Sequence, residues 1–234
     1  MTDLAIVTPL EPPSHQSYGP APSSSFAKRP RRGPGSYNRS LSPEERRDEQ
    51  RRTLVEAAAH VFARDGYVNA SVASILDASG LSRGTFYRHF HDLQQVFFAV
   101  QEDAAHVLFK RLEAAFLSTG GPAEKLRACI RAYLELCAEF GDLSRVLHRE
   151  AMTSNGESAL LRRQNIERVA GLFRSGLELA KRSGLVQKVP DDLTVLAVIG
   201  AIEAVALRYL EEEREHELLE ALDPLVRLGL RAFT

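Results

Sequence analysis

The chain has no tryptophan, two methionines and two cysteines in 234 residues, and a formal net charge of −1. Cys129 and Cys137 stand eight apart on one helical face, too far for a bridge within a helix. They read as small buried hydrophobes in a reducing compartment, with a ligand-sensing thiol as the alternative. No HExxH, CxxC, P-loop or glycine-rich dinucleotide turn occurs, and His89 and His91 lack the i,i+4 spacing of a zinc pair. Enzymatic activity, a metal and a cofactor are therefore unsupported. No apolar run reaches membrane-spanning length, and the N-terminus lacks a charged-then-apolar secretory signal. The expectation is a cytoplasmic protein without membrane contact. Alternating strand patterns of useful length are missing too, which points to an all-α fold.

What the chain does have is apolar residues enough for a core, 44% of the total, with Leu and Ala dominant. Its near-neutral charge hides an asymmetry. Between Lys28 and Arg52 nine Lys or Arg face four acids, a local surplus of +5 that leaves −6 for the remainder. A basic end on an otherwise acidic protein is the electrostatic footprint of a nucleic-acid binder. The stretch from Glu211 to Asp223, with seven acids and one Arg, reads as a solvated face far from any DNA.

Residues 1–41 are rich in Pro, Ser and Gly and poor in large apolar side chains, so they are expected to be disordered. Within them Lys28, Arg29, Arg31 and Arg32 form either a solubilising tail or a basic arm that follows phosphates or enters a minor groove. Ser42-Pro43-Glu44-Glu45 then opens a first helix with a capping box, and Gly66 is expected to end it. A second helix runs from Ser71 to Gly80. Ser82 caps a third, whose Phe86 and Phe90 face a small core and whose Arg83, Thr85, Tyr87 and Arg88 point outward. Two short helices with a Gly in the turn form a helix-turn-helix, and the second enters the DNA major groove.

The run from Leu54 to Phe90 resembles the DNA-binding domain of TetR-type transcriptional repressors. The matching pieces are Leu54-Val55-Glu56-Ala57-Ala58 with Phe62, then Gly66-Tyr67, then Ala78-Ser79-Gly80-Leu81-Ser82-Arg83-Gly84-Thr85-Phe86-Tyr87-Arg88-His89-Phe90. The resemblance implies that residues 42–91 bind DNA and that residues 92–234 form a helical regulatory, ligand-binding and dimerisation domain. Arg83 near the start of the third helix would reach a guanine, and Thr85 a thymine methyl or a phosphate. Tyr87 and His89 match phosphate-facing positions, Arg88 serves either role, and Gly84 lets the backbone approach the groove. Ser71 and Ser82, at the two helix starts, place hydroxyls where a phosphate meets helix N-termini. One position departs from the family pattern. Asp92-Leu93 stands where the family has Ser or Asn and then Lys, so either His91 and the basic arm replace that phosphate contact, or affinity is lower.

Downstream, helices are expected over about 93–117, 123–140, 142–152 with Asp142 as its cap, 158–182, 193–210 and 215–233, the last kinking or restarting at Pro224 with a new cap at Asp223. The total is about nine. The helix from Leu193 to Leu210 is apolar nearly all round and should be buried on several sides, with Glu203 and Arg208 held in ion pairs. The resemblance implies a homodimer through the last two helices, which places two recognition helices on a palindrome. A ligand cavity among the middle helices would draw its wall from Phe116, Tyr133, Phe140, Met152, Phe173 and Leu177, and its polar contacts from Tyr133, His148 and Arg149. The expected activity is repression from a palindromic operator on double-stranded DNA, relieved when a small, largely hydrophobic effector moves the long fourth helix. Alternatives are an effector-independent regulator or activator of the same fold, and a helical protein-interaction module.

Overall fold

The computed structural model describes residues 42–153, 156–184 and 187–233. The arm with Lys28, Arg29, Arg31 and Arg32 lies outside them. Ser42 caps α1 (Pro43–Asn69): its hydroxyl accepts the Glu45 N–H at 3.1 Å, and its own N–H donates to Glu45 Oε2 at 2.7 Å. Gly66 does not end the helical run as expected but interrupts it, at φ 73° and ψ 169°. That conformation is essentially restricted to glycine. The break turns Tyr67 inward onto Phe97, with ring centroids 4.6 Å apart, while Phe97 stands edge-on to Phe62 at 5.0 Å.

The two short helices follow, α2 (Val72–Ser79) and α3 (Arg83–His89), and then α4 (Leu93–Phe116). Leu54, Ala58 and Phe62 of α1, Ile75 of α2, Phe86 of α3 and Val96, Phe97 and Val100 of α4 form one closed core. The first two turns of α4 thus complete the DNA-binding unit, while Leu108 and Leu112 farther along reach into the rest of the molecule. Asp92 caps α4 by accepting the Gln95 N–H at 2.8 Å, and Gln95 returns its carbonyl oxygen to the His91 N–H at 2.7 Å.

Beyond lie α5 (Pro122–Glu139), α6 (Gly141–Thr153), α7 (Glu157–Arg182), α8 (Asp192–Glu211), a 3₁₀ segment (Glu215–Ala221) and α9 (Leu222–Ala232). Leu126, Ile130 and Leu134 of α5 pack with Ala206 and Leu210 of α8 and with Leu218, Leu222, Leu225 and Val226 of the last two segments. No strand occurs among the described residues, so the fold is all-α. Two capping expectations need correction. Asp142 does not cap α6, because the helix starts one residue earlier and the carboxylate pairs with Arg145 at 2.6 Å. Asp223 does not cap α9 either; it lies in the first turn and meets Arg127 at 2.6 Å. The expected restart does occur, since the 3₁₀ segment gives way to α9 at Leu222, and Pro224 falls among first-turn residues whose N–H groups need no helical partner.

In the single chain α8 is packed on one face only. Its composition predicts a helix surrounded on several sides, yet Leu193 is 78% exposed, and Ala197, Gly200, Ala204 and Arg208 are exposed with it. By length and composition α8 is also apolar enough to cross a membrane, contrary to the reading that no run reaches that length. Within the fold, however, its other face is packed: Val195, Val198, Ile199, Ala206 and Leu210 are buried against neighbouring helices. Arg208 is tied to Glu212 at 2.9 Å.

Candidate nucleic-acid interface and ligand cavity

α2 and α3 are held at a fixed angle by caps at both starts and one left-handed residue between them. Ser71 Oγ accepts the Ser74 N–H at 3.1 Å, and Ser74 Oγ accepts the Ser71 N–H at 3.0 Å. Gly80 ends α2 at φ 68°, ψ 14°, donating its N–H to the Leu76 carbonyl at 2.9 Å. Ser82 Oγ accepts the Thr85 N–H at 3.1 Å and lies 2.9 Å from the Thr85 hydroxyl. On α3, Phe86 is fully buried and Phe90 nearly so, which fixes the opposite face outward.

That outward face carries Arg83, Gly84, Tyr87 and Arg88, all exposed and without an acid among them. The Arg83 guanidinium lies 5.8 Å from the Tyr87 ring centroid, so the two side chains share one surface. Thr85 is the correction. It is 8% exposed and its hydroxyl lies against Ser82, so it turns into the helix start rather than outward as expected. His89 is intermediate: it is partly buried, and its Nε2 is enclosed without a hydrogen-bond partner. Burial, then the guanidiniums of Arg47, Arg88 and Arg51, push its pKa below the ordinary histidine value, against a smaller opposing effect of Asp48. Ser71, Ser82 and His91 are exposed beside this face.

The second feature is a cavity of about 200 Å³ among α4, α5, α6, α7 and α8. Its wall is mostly aliphatic, from Ala104, Leu108, Leu112, Ile130, Leu136, Ile166, Val169, Ile199 and Ile202, with the Phe173 ring. Polar groups are few, and several are matched to one another. The Tyr133 hydroxyl lies 2.9 Å from His148 Nε2, and His148 Nδ1 lies 2.7 Å from the Ser144 carbonyl. A carbonyl only accepts, so Nδ1 carries the proton and Nε2 accepts from the tyrosine. Arg162 and Glu203 pair at 2.5 Å across α7 and α8, and the Ser158 hydroxyl donates to Gln101 Oε1 at 2.7 Å. Cys129 and Cys137 also face the cavity. Burial pushes their thiols up to about 11 and about 12, so neither is an available thiolate at neutral pH. Burial likewise pushes the Tyr133 phenol well above its usual value. Among the described residues no three His, Cys, Asp or Glu gather as a metal site.

Of the wall residues expected from sequence, Tyr133, His148 and Phe173 line this cavity. Phe116, Phe140, Arg149, Met152 and Leu177 do not. Phe116 packs edge-first over Gly176 and under the Lys125 ammonium, 5.3 Å from its ring centroid. Phe140 turns toward the DNA-binding core, Met152 is 61% exposed, and Arg149 is exposed. Sequence reasoning missed Gln101, Ser158, Arg162 and Asn165, and favoured an ion pair over ligand recognition for Glu203. Gln101 had a signal, a polar residue on the apolar face of α4. The Arg162–Glu203 match had none, since 41 residues separate them.

Comparison with known proteins decides the family. A model described as "Bacterial regulatory proteins, tetR family" matches residues 54–100, and one described as "Tetracyclin repressor-like, C-terminal domain" matches residues 119–220. The chain belongs to the TetR family. Among its relatives, the HTH-type transcriptional activator FasR of Mycolicibacterium smegmatis is 32% identical over 89 residues, which are 38% of this chain and 41% of that protein. The chain thus matches less than half the length of that relative. The HTH-type transcriptional regulator YdgC of Bacillus subtilis is 24% identical over 69% of this chain and 82% of its own length. The crystal structure of the regulator FadR of Bacillus subtilis in complex with stearoyl-CoA superposes with a TM-score of 0.69. At 20% identity, covering 78% of this chain and 98% of that one, it shows a shared fold.

Proposed function

We propose that this TetR-family protein is a homodimeric repressor, with residues 42–91 reading a pseudo-palindromic operator and residues 92–234 binding an apolar effector. The observation that carries the coupling is the double use of α6. Ser144, Leu147, His148 and Ala151 face the cavity, while Leu143 is buried in the DNA-binding core with Val146 and Leu147 packed beside it. A molecule that wedges the cavity displaces α6 and the cavity-lining part of α4 together, and both support α1. Repression is relieved only if the effector binds the displaced arrangement more tightly, since equal affinity for both shifts nothing. This assigns transmission to α6 as well as to the long fourth helix.

Arg83 supplies base readout, Gly84 the close approach, and Tyr87, Arg88, Ser71, Ser82 and His91 the flanking contacts. The exposed apolar face of α8, from Leu193 through Ala197, Gly200 and Ala204, together with Leu228 of α9, supports a twofold four-helix interface. Such a dimer sets its two α3 helices about one DNA turn apart, roughly 34–36 Å. The aliphatic wall and the few internally matched polar groups favour an effector with a long hydrocarbon part. The stearoyl-CoA bound to the structural neighbour FadR makes long-chain acyl compounds the first to test. The activator name of FasR favours activation as the second reading of the sign.

A mobility-shift titration on DNA upstream of the protein's own gene tests the proposal. Steeply salt-sensitive binding, lost in Arg83→Ala and released by a long-chain fatty acid or its coenzyme A ester, is expected. Equal retention of the duplex with and without a bound ligand would refute effector-relieved repression.

A further inference from the structure

We infer a second DNA-contacting element on the N-terminal turns of α1, where Arg47 and Arg51 join Arg88 of α3 in a cradle for the phosphodiester backbone beside the base-reading face. The inference rests on the proposed DNA-binding reading but concerns residues outside it: Arg47 and Arg51 precede the stretch matched by the family model, residues 54–100. α1 begins at Pro43, so nearly three turns of helix precede that stretch.

Three observations converge on this surface. Arg51 sits over the Phe90 ring, 5.5 Å from its centroid, which anchors it against the end of α3. Arg47 is one helical turn earlier on the same face, and both are exposed. The charges of Arg47, Arg51 and Arg88 all act on His89, so the three lie within electrostatic reach of one imidazole. The acids nearby are Asp48, which opposes them at His89, and Glu102 of α4, whose half-buried carboxyl feels Arg51.

Several arginines elsewhere are paired with acids, although among the described residues Arg163, Arg182 and Arg227, like this cluster, are not. Arg111, Arg127, Arg145, Arg162, Arg174 and Arg214 each have a carboxylate partner within 4 Å. Among the described residues Arg47 and Arg88 have none, and Arg51 forms no ion pair. Like charges held together without a close ion-pair partner keep a repulsion, only partly offset by Asp48 and Glu102, that an external polyanion relieves. Arginine suits that role, since its planar fork matches two phosphate oxygens. A backbone contact of this kind fixes register and adds affinity without reading sequence.

The test uses the full-length protein, a random-sequence duplex and the upstream fragment, titrated over a range of salt. Arg47→Ala and Arg51→Ala should each flatten the plot of log affinity against log salt, by about 0.9 for every phosphate that is no longer neutralised, twice that for a dimer. Affinity for both duplexes should fall by the same factor, whereas Arg83→Ala should weaken the upstream fragment far more. Arg47→Lys should recover most of the slope, and thermal unfolding should show each variant folded. An unchanged slope, or a weakening confined to the upstream fragment, would overturn the cradle while leaving DNA binding intact. Failure of the unaltered protein to hold either duplex would overturn the proposed function, and the cradle with it.

Discussion

Gly84 separates the demands of the fold from the demands of DNA. It is exposed at the first turn of α3, and its φ lies outside the left-handed region. A Cβ built there meets only the Ser82 hydroxyl, at an ordinary 3.9 Å. The folded chain therefore has no use for a glycine at this position. Replacing a helical Gly by Ala removes backbone freedom from the unfolded state and stabilises by about 0.5–1 kcal/mol, with the low end fitting a first turn. For a chain of this size that raises Tm by about 1–4 °C. With α3 in the groove as proposed, the same methyl group would stand between the helix backbone and the base edges. Pushing α3 outward by the width of a methyl breaks the Arg83 contact, worth about 1–3 kcal/mol of discrimination. Gly84→Ala is expected to melt higher and bind the upstream duplex more weakly, measured by thermal unfolding and fluorescence anisotropy. A variant that melted lower, or that bound DNA as tightly as the parent, would refute the reasoning.

Gly176→Ala should destabilise, because the new Cβ would overlap the edge of the Phe116 ring. Overpacking of this kind costs about 1–3 kcal/mol, to be read as a lower denaturant midpoint in urea. The thiols of Cys129 and Cys137, pushed up to about 11 and about 12, should react with a disulfide reagent at neutral pH far more slowly in the native protein than in urea. Comparable native and denatured rates would show the cavity wall to be open. His89 should make stability pH-dependent. Its pKa is lower folded than unfolded, so its contribution is fully present above the unfolded value of 6.5 and is lost as pH falls through the folded one. Thermal unfolding of His89→Gln against the parent across that window should show a shallower loss in the variant.

The first domain was largely legible in sequence, because its determinants are local. Serine caps at 42 and 82, a helix starting at Ser71 and stopping at Gly80, and the spacing of Phe86 and Phe90 each act within one turn, and the structure has each in its expected place. Thr85 escaped because a hydroxyl on a predicted outward position can instead turn back to the cap. The cavity was poorly legible for the opposite reason. Helical periodicity tells which face is apolar but not whether a neighbour fills it, and Phe116 is consumed by Gly176, sixty positions away in sequence.

By itself the sequence determined the all-α character, the order of the helices, the helix-turn-helix and the bare basic face of α3. Those follow from caps, breakers and periodicity, which act over a few residues. The tertiary structure alone decided that α6 serves both the cavity and the DNA-binding core, that Glu203 meets Arg162, and that one face of α8 stays uncovered in the single chain. It also decided that Arg47 and Arg51 stand beside Arg88. Each depends on helices distant in sequence meeting at one angle, and that angle is set by the summed packing of the core rather than by any local signal.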